Sequence, residues 1–392
     1  MRRSTINNPT SFFSILPPES NQVLFEENSG GRKVVLNRTQ KLNCLTYDMI
    51  SKISKALKEY EEDRSVKVVI LKGKGKAFCA GGDVLSVVSC STMGHWSFAA
   101  IYYKKQLLLD YLIGTYKKPL VSLINGIVMG GGAGLSLHGR FRIVTENTIF
   151  AMPEASIGLF PDVGASHFLS RLPGSFGEYL GLTGAKIGGS EMLACGLATH
   201  FVLSKDLHLL ENALCEVTSS NISIISNMID RFTHKVSLKQ DSAYARLDVI
   251  NKCFSRKTVE EILESLENEV KNGAQKWLIA AISSLKSASP MSLKVTLRVI
   301  REGRKERLKE CLIRDYIISS HMLRRTINGD FYEGARAMLI EKDKNPKWEP
   351  SKLELVSKEM VDRCFVAPED DHWENMHFPY RACPSNMYRP RL

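Results

Sequence analysis

The stretch 129–164, MGGGAGLSLHGRFRIVTENTIFAMPEASIGLFPDVG, sets the tightest limits on how this chain can fold. Three consecutive glycines (130–132) stand directly before an apolar segment that reads as a helix. A glycine turn entering a helix presents unpaired backbone N–H groups, the usual device for holding developing negative charge. Downstream, Glu154 lies between Pro153 and Ala155, and Asp162 between Pro161 and Val163, with no basic neighbour in sequence. Carboxylates so placed are poor partners for a surface ion pair. Backbone donors beside isolated acids point to acyl chemistry. The bland alternatives are close helix–strand packing for the glycines, a buried salt bridge for Glu154, and a turn or cap for Asp162.

The surrounding pattern is α/β. Residues 32–37 (RKVVLN) and 66–71 (VKVVIL) read as short, β-branched, buried strands. Between them a helix starts near Thr46, with Met49, Ile50, Ile53 and Leu57 on one face. Strand, helix, strand in that order implies a parallel crossover. The pattern continues with a strand at 120–124, a helix from Gly131, and strands at 142–144 and 149–151. From about 222 to 365 the chain reads as amphipathic helices without a convincing strand. One of them is capped by Ser289 with Pro290 in its first turn, and turns Leu293, Leu297 and Ile300 inward. The run REGRKERLKE (301–310) reads as a solvated helix face, with a basic rim for a phosphorylated ligand as the alternative. The expected organisation is a flexible tail over 1–21, an acyl-binding core over 22–221, a helical region over 222–365, and an extended tail over 366–392.

Composition narrows the partners. The 392 residues carry a formal net charge of +11, which favours an anionic partner. There is no recognised nucleic-acid module, no interleaved basic–aromatic stripe and no apolar run long enough to span a bilayer. The phosphates of a phosphorylated cofactor are therefore the simpler reading, with neither nucleic acid nor membrane expected. The nine cysteines are scattered without a C-x-x-C pair, so neither a disulfide framework nor a metal site is expected. Residues 1–18 hold Arg2 and Arg3, no acid, and Pro17 and Pro18 at their end, a weak organelle presequence pattern. Pro390-Arg391-Leu392 has the form of a peroxisomal address. The expected compartment is the peroxisome, with the mitochondrion as the alternative.

KGKGKAFCAGGD (72–83) follows a strand and ends in Ala80-Gly81-Gly82-Asp83, allowing close backbone approach to a ligand. Lys72, Lys74 and Lys76 stand where phosphates can be met; the bland reading is a flexible loop with solvated lysines. It lacks the Gly-Lys-Ser/Thr of a P-loop.

FCAGGD (78–83), INGIVMGGGAG (124–134) and PE…PDVG (153–164), in this order, resemble the enoyl-CoA hydratase/isomerase (crotonase) superfamily, and within it the 3-hydroxyisobutyryl-CoA hydrolase family. SPMSLKVTLR (289–298) and DFYEGARAMLIEKDKNPKW (330–348) resemble that family's C-terminal region. The resemblance covers about residues 22–365. It implies an α/β fold, a crotonase (ClpP-like) spiral of ββα units followed by an α-helical C-terminal region, that binds coenzyme A thioesters. By position, the family's oxyanion hole falls on the N–H groups of Ala80 and Gly131, and its catalytic carboxylates on Glu154 and Asp162. Gly81, Gly82, Asp83 and Gly130 fall in the substrate- and CoA-binding loops. Hydratases of the superfamily need a second glutamate at the position of Gly134 and have a small residue at that of Asp162, so the pattern here favours hydrolysis.

The hydrolase family usually places a substrate-contacting glutamate where this chain has Gln106, which leaves the acyl group open. His138 reads as a packed histidine and Cys79 as a small core residue; no Ser-His-Asp set is convincingly spaced. The resemblance implies hydrolysis of a short 3-hydroxyacyl-CoA, foremost 3-hydroxyisobutyryl-CoA of valine catabolism. Glu154 would act as nucleophile or as general base. No permanently bound cofactor is expected; coenzyme A arrives as part of the substrate, and a homo-oligomer stays open. The alternatives are an enoyl-CoA hydratase/isomerase and a non-catalytic acyl-CoA-binding protein.

Overall fold

The computed structural model describes residues 21–273, 275–370 and 373–381. The tail at 1–20 and the tripeptide Pro390-Arg391-Leu392 lie outside the described residues. Strands β1 (Val23–Asn28) and β2 (Gly31–Leu36) pair antiparallel, and β3 (Val68–Gly73) adds to β2 in parallel after helix α1 (Tyr47–Glu62). Thr46 caps α1, its hydroxyl accepting from Met49 N at 3.2 Å, and Met49, Ile50, Ile53 and Leu57 are buried.

From β3 onward the chain repeats one move: a strand, a turn, a short strand, then a helix. β3 is followed by β4 (Ala77–Cys79), then α2 (Val84–Met93) and α3 (Trp96–Gly114). Next come β5 (Leu120–Ile124), β6 (Ile127–Met129) and α4 (Gly131–Leu137), and then β7 (Phe141–Val144) and β8 (Ile149–Ala151). The first strand of each pair joins one sheet and the second joins another. Among the described residues the larger sheet runs β1-β2-β3-β5-β7-β10 and the smaller β4-β6-β8-β9, with β9 at Ile187–Gly188 and β10 at His200–Phe201. Between β8 and β10 lie α5 (Ala165–Leu169), α6 (Phe176–Thr183) and α7 (Gly189–Ala194). This is the expected spiral.

Both faces of the larger sheet are covered. Val69 and Leu71 face the main core, while Val68 and Ile70 face a second cluster beneath α8 (Leu207–Cys215) and α9 (Ile222–Asp230). Burial on both sides explains why VVIL is uninterrupted rather than alternating. The boundary expected at 221 runs between α8 and α9, which share this layer.

The remainder is helical: α10 (Leu247–Phe254), α11 (Val259–Asn272), α12 (Lys276–Ser287), α13 (Pro290–Gly303), α14 (Leu308–Arg324), α15 (Asp330–Ala335) and α16 (Lys358–Arg363). Its side chains join the cluster that begins at Val23, so one apolar core runs through both regions. Ser289 caps α13 as expected, accepting from Ser292 N at 3.1 Å.

The run 301–310 is not a continuous solvated face. The helix ends at Gly303, where a side chain would strike the Ser166 carbonyl. Arg301 reaches the carbonyls of Phe254 and Lys257, and Arg304 pairs with Glu178 at 2.6 Å. Residues 367–370 and 373–381 form no helix or strand, and this segment docks: Trp373 stacks on Tyr316 with ring centroids 4.8 Å apart, and Phe378 lies 4.5 Å from Tyr111.

Candidate active site

The smaller sheet builds the site. β4 and β6 are parallel, with Cys79 opposite Val128, so their C-terminal ends release Ala80–Gly82 and Gly130–Gly131 side by side. β8 is parallel to β6, with Ala151 opposite Met129, and releases Pro153 and Glu154 onto the same edge. Three loops distant in sequence converge because three short strands are neighbours. They line a cavity of about 110 Å³ together with Tyr102, Tyr103, Gln106 and Asp162.

Of the two amides expected to hold an oxyanion, one is engaged elsewhere. Ala80 N donates to the Leu42 carbonyl at 2.9 Å, so it is spent on the loop before α1. The amide that faces the glycine helix is that of Gly82: a Cβ built on Gly131 would lie 3.2 Å from the Gly82 nitrogen. Leu45 N donates to Gly81 O and Asp83 N to Leu45 O, which leaves Gly82 N–H between two bonds and outside both. Gly131 opens α4, so its N–H has no intrahelical acceptor either. The two amides left unengaged on this edge are therefore those of Gly82 and Gly131, and the assignment to Ala80 is corrected, its N–H being taken by Leu42.

Asp83 is likewise removed from the site. Its carboxylate receives Arg38 at 2.8 Å and caps α2 by accepting from Ser86 N at 3.2 Å, and it does not line the cavity. Gly132 fulfils the packing alternative, its α-carbon pressed on the Cys79 carbonyl.

Glu154 lies against the glycine turn, with Oε1 2.8 Å from where a Cβ on Gly130 would sit, so a larger residue there would displace the carboxylate. Its Oε2 is buried without a partner. Burial, and next the charge of Asp162, push the Glu154 carboxyl well above its ordinary range. Burial alone lifts Asp162 to about 7. Asp162 enters a tight turn in which Val163 takes a φ of 53° and Gly164 one of 72°, a left-handed pair that a β-branched residue adopts only under constraint. Two contacts impose it: the His138 ring holds Val163 O at 2.7 Å, and Asp315 accepts from Gly164 N at 2.7 Å. His138 is thus the packed residue expected of it, held neutral by burial with its pKa pushed down to about 4.

Helix α3 forms the opposite wall. Gln106 is 2 % exposed and Asp110, one turn on, 0 %. Gln106 Nε2 donates to Asp110 Oδ1 at 3.2 Å and approaches Gly131 O at 3.5 Å, while Gln106 Oε1 is buried without a partner. The space over Gly134 is filled: a Cβ there would lie 3.0 Å from both Asp110 oxygens and 2.7 Å from Val163 Cβ.

An enoyl-CoA hydratase/isomerase family model matches residues 31–365. The chain belongs to the enoyl-CoA hydratase/isomerase family. It is 56% identical over 352 residues to 3-hydroxyisobutyryl-CoA hydrolase 1 of Arabidopsis thaliana, covering 89% of this chain and 93% of that protein. It is 45% identical over 346 residues, 88% of this chain and 86% of the other, to a protein of the same plant named 3-hydroxyisobutyryl-CoA hydrolase-like protein 1, mitochondrial. Among solved structures, a carnitinyl-CoA dehydratase from Mycobacterium thermoresistibile superposes with a TM-score of 0.82 at 32% identity, over 91% of this chain and 99% of that one. These relatives put the chain in the 3-hydroxyisobutyryl-CoA hydrolase branch of the family.

Against this family background, the filled space at Gly134 is informative, because a second hydratase carboxylate has no room beside Asp110 and Val163. Asp110 and Asp315 are buried acids that brace the site's walls through Gln106 and Gly164, and reading the sequence missed them. Asp110 carries the signal that singled out Glu154, a lone acid in an apolar run (LLLDYLIG), whereas Asp315 sits between Arg314 and Tyr316 and carries none.

Lys72 is paired with Glu211 and is not free for a phosphate; Lys74 and Lys76 are exposed. Burial pushes the Cys79 thiol up, as befits a core residue. A larger groove of about 760 Å³ lies between α11, α13 and α16, away from the glycine turns. Two of its cations are matched by acids, Lys294 by Glu260 at 2.8 Å and Arg298 by Asp362 at 2.6 Å. Among the described residues no group of His, Cys, Asp and Glu could hold a metal ion, and no helix is long and apolar enough to cross a membrane.

Proposed function

We propose that the protein hydrolyses 3-hydroxyisobutyryl-CoA to 3-hydroxyisobutyrate and coenzyme A. The observation that carries this reading is the pair of unengaged amides, Gly82 and Gly131, beside the unpartnered Glu154 carboxylate with Gly134 empty of a second acid. The thioester carbonyl oxygen sits between the two N–H groups, where the N-terminus of α4 adds to the pull on developing negative charge. Ionised Glu154 supplies the electron pair, either to the carbonyl carbon or to a proton of the attacking water. The departing thiol has a pKa near the ordinary thiol value of about 8.5 and leaves without a strong general acid. Asp162 orients the substrate hydroxyl or the water.

A cavity of about 110 Å³ corresponds to about four waters and suits a short branched acyl group. Exposed Lys74 and Lys76, on the loop that leads to the glycine turn, are available to the CoA phosphates, so KM rises with ionic strength. The reading needs no resident cofactor.

The test is free-thiol release across 3-hydroxyisobutyryl-, 3-hydroxypropionyl- and simple acyl-CoAs. Glu154→Gln is expected to lower kcat by at least about a hundredfold; activity within a few-fold of the parent overturns the assignment. The neutral amide at Gln106 favours one second reading, an acyl-CoA-binding protein that releases no thiol from any of the panel. For compartment, Pro390-Arg391-Leu392 supports the peroxisome and the related protein's name the mitochondrion. A fluorescent tag at the N-terminus of the full chain, with and without the tripeptide, separates them.

A further inference from the structure

We infer that His138 and Asp315 are positioning residues for the reaction: they pin the Val163–Gly164 peptide at both of its polar ends, and so keep the Asp162 carboxyl aimed into the acyl cavity. The inference rests on the proposed function and adds what holds Asp162 in its working place. Asp162–Ala165 is a β-turn closed by Ala165 N, which donates to Asp162 O at 2.8 Å. Its two central residues, Val163 and Gly164, have φ of 53° and 72°, the positive pair that marks a type I′ turn. Glycine, asparagine and aspartate take the first of these places readily, whereas a β-branched valine is strained there. Left to itself, Val163 relaxes toward negative φ, and Asp162, which enters the turn, swings with it.

The central peptide of this turn is held from two sides. The Val163 carbonyl can only accept, so His138 Nε2 carries the hydrogen and donates to it at 2.7 Å. Gly164 N donates to Asp315 Oδ2 at 2.7 Å, and a carboxyl keeps an accepting oxygen whether or not it is protonated. Relaxing Val163 breaks both bonds and leaves buried polar groups unpaired, a larger cost than one strained residue. Gly164 admits the arrangement, since a Cβ there would lie 2.8 Å from the His138 ring. The two partners belong to different elements, His138 to the C-terminal end of α4 and Asp315 to α14, and neither lines the cavity. Helix α4 therefore presents the Gly131 amide at its start and holds the Asp162 turn at its end.

The readout is the coupling between Asp315 and Asp162 in kcat for thiol release from 3-hydroxyisobutyryl-CoA. Asp315→Leu keeps the branched shape and removes the acceptor, while Asp315→Asn keeps an acceptor oxygen and removes the charge. Asp315→Leu is expected to lower kcat at least about tenfold, and Asp315→Asn to recover it to within about threefold of the parent. In an Asp162→Asn background, Asp315→Leu is expected to cost no more than about twofold further, because the group it misplaces is already gone. A residue that only stabilises the fold lowers kcat by the same factor in both backgrounds.

Should Asp315→Leu fail to fold, the other end of the peptide gives the same comparison. His138→Gln retains a donor for Val163 O and His138→Leu does not. Equal losses in both backgrounds, a Leu variant as active as the parent, or an Asn or Gln variant as impaired as its Leu counterpart overturns the inference while the proposed function stands. Full activity in Asp162→Asn overturns the role of Asp162 and the inference with it. A parent that releases no thiol overturns the proposed function and the inference together.

Discussion

Ala80 and Gly82 are two residues apart, and only one of their amides is available to a ligand. The difference lies in the loop before α1: Leu42 O takes the Ala80 N–H at 2.9 Å, and the bridge through Leu45 bonds on either side of Gly82. The same economy separates the acids. Asp83 is satisfied by Arg38, while Glu154 and Asp162 are buried away from any cation and hold their protons more tightly than free carboxyls. On the proposed mechanism Glu154 acts in its ionised form, so kcat/KM is expected to fall as pH is lowered. Asp162→Asn removes the charge that helps hold Glu154 protonated, so the acid limb of the profile moves to lower pH even as turnover drops. Stability moves the other way. With a folded pKa of about 7 against an ordinary 3.8, the proton on Asp162 is bound more tightly by the folded chain, so stability is lost as pH rises from 3.8 toward 7. Asp162→Asn escapes that loss. Its advantage in chemical denaturation is expected to be near zero at about pH 4 and to approach about 4 kcal/mol at about pH 8.

At the scale of elements, the short helical turn that bears Glu154 is set by what stands behind it. Helix α15 supplies two contacts of backbone on backbone. Gly158, at a φ of 71°, meets the Asp330–Phe331 peptide, and a Cβ on Gly334 would lie 2.7 Å from Ile157 Cα. Asp330 is in turn fixed by Ser289 at 2.6 Å and by Glu349 N at 2.9 Å, which ties α13 and the 345–349 loop into the same support. The motif DFYEGA is therefore a buttress for the glutamate. Gly334→Ala raises local helix propensity yet pushes on Ile157. It is expected to destabilise by about 2 kcal/mol in thermal unfolding. A displacement of Glu154 of the order of 1 Å lowers kcat by at least about tenfold, read by thiol release.

Across the whole molecule, residues 366–370 and 373–381 fasten the two helices that carry the site's back wall. Phe378 packs on Tyr111 of α3, Trp373 stacks on Tyr316 of α14, and Arg324 pairs with Asp370 at 2.8 Å. Helix α3 carries Gln106 and Asp110, and α14 carries Asp315. Trp373→Ala/Phe378→Ala is expected to cost about 3–5 kcal/mol in denaturant unfolding and to raise KM several-fold as α3 loosens.

Strands β2, β3, β5 and β7 of the larger sheet, α1, α13 and the glycine entry to α4 are legible in the sequence, because apolar periodicity, caps and positive-φ turns are local rules that neighbours in the chain enforce; β1 and β10 are not. Glu154 and Asp162 are legible for the related reason that a lone acid in an apolar run advertises its burial. Apart from 149–151, the smaller sheet is not legible: its other strands of two or three residues, such as Ala77–Cys79 and Ile127–Met129, are too short to show a period and exist because they pair. That pairing selects Gly82 over Ala80, diverts Asp83 to Arg38 and sets Asp110 over Gly134. An amide's freedom depends on which carbonyl another loop brings to it, and no spacing along the chain records that.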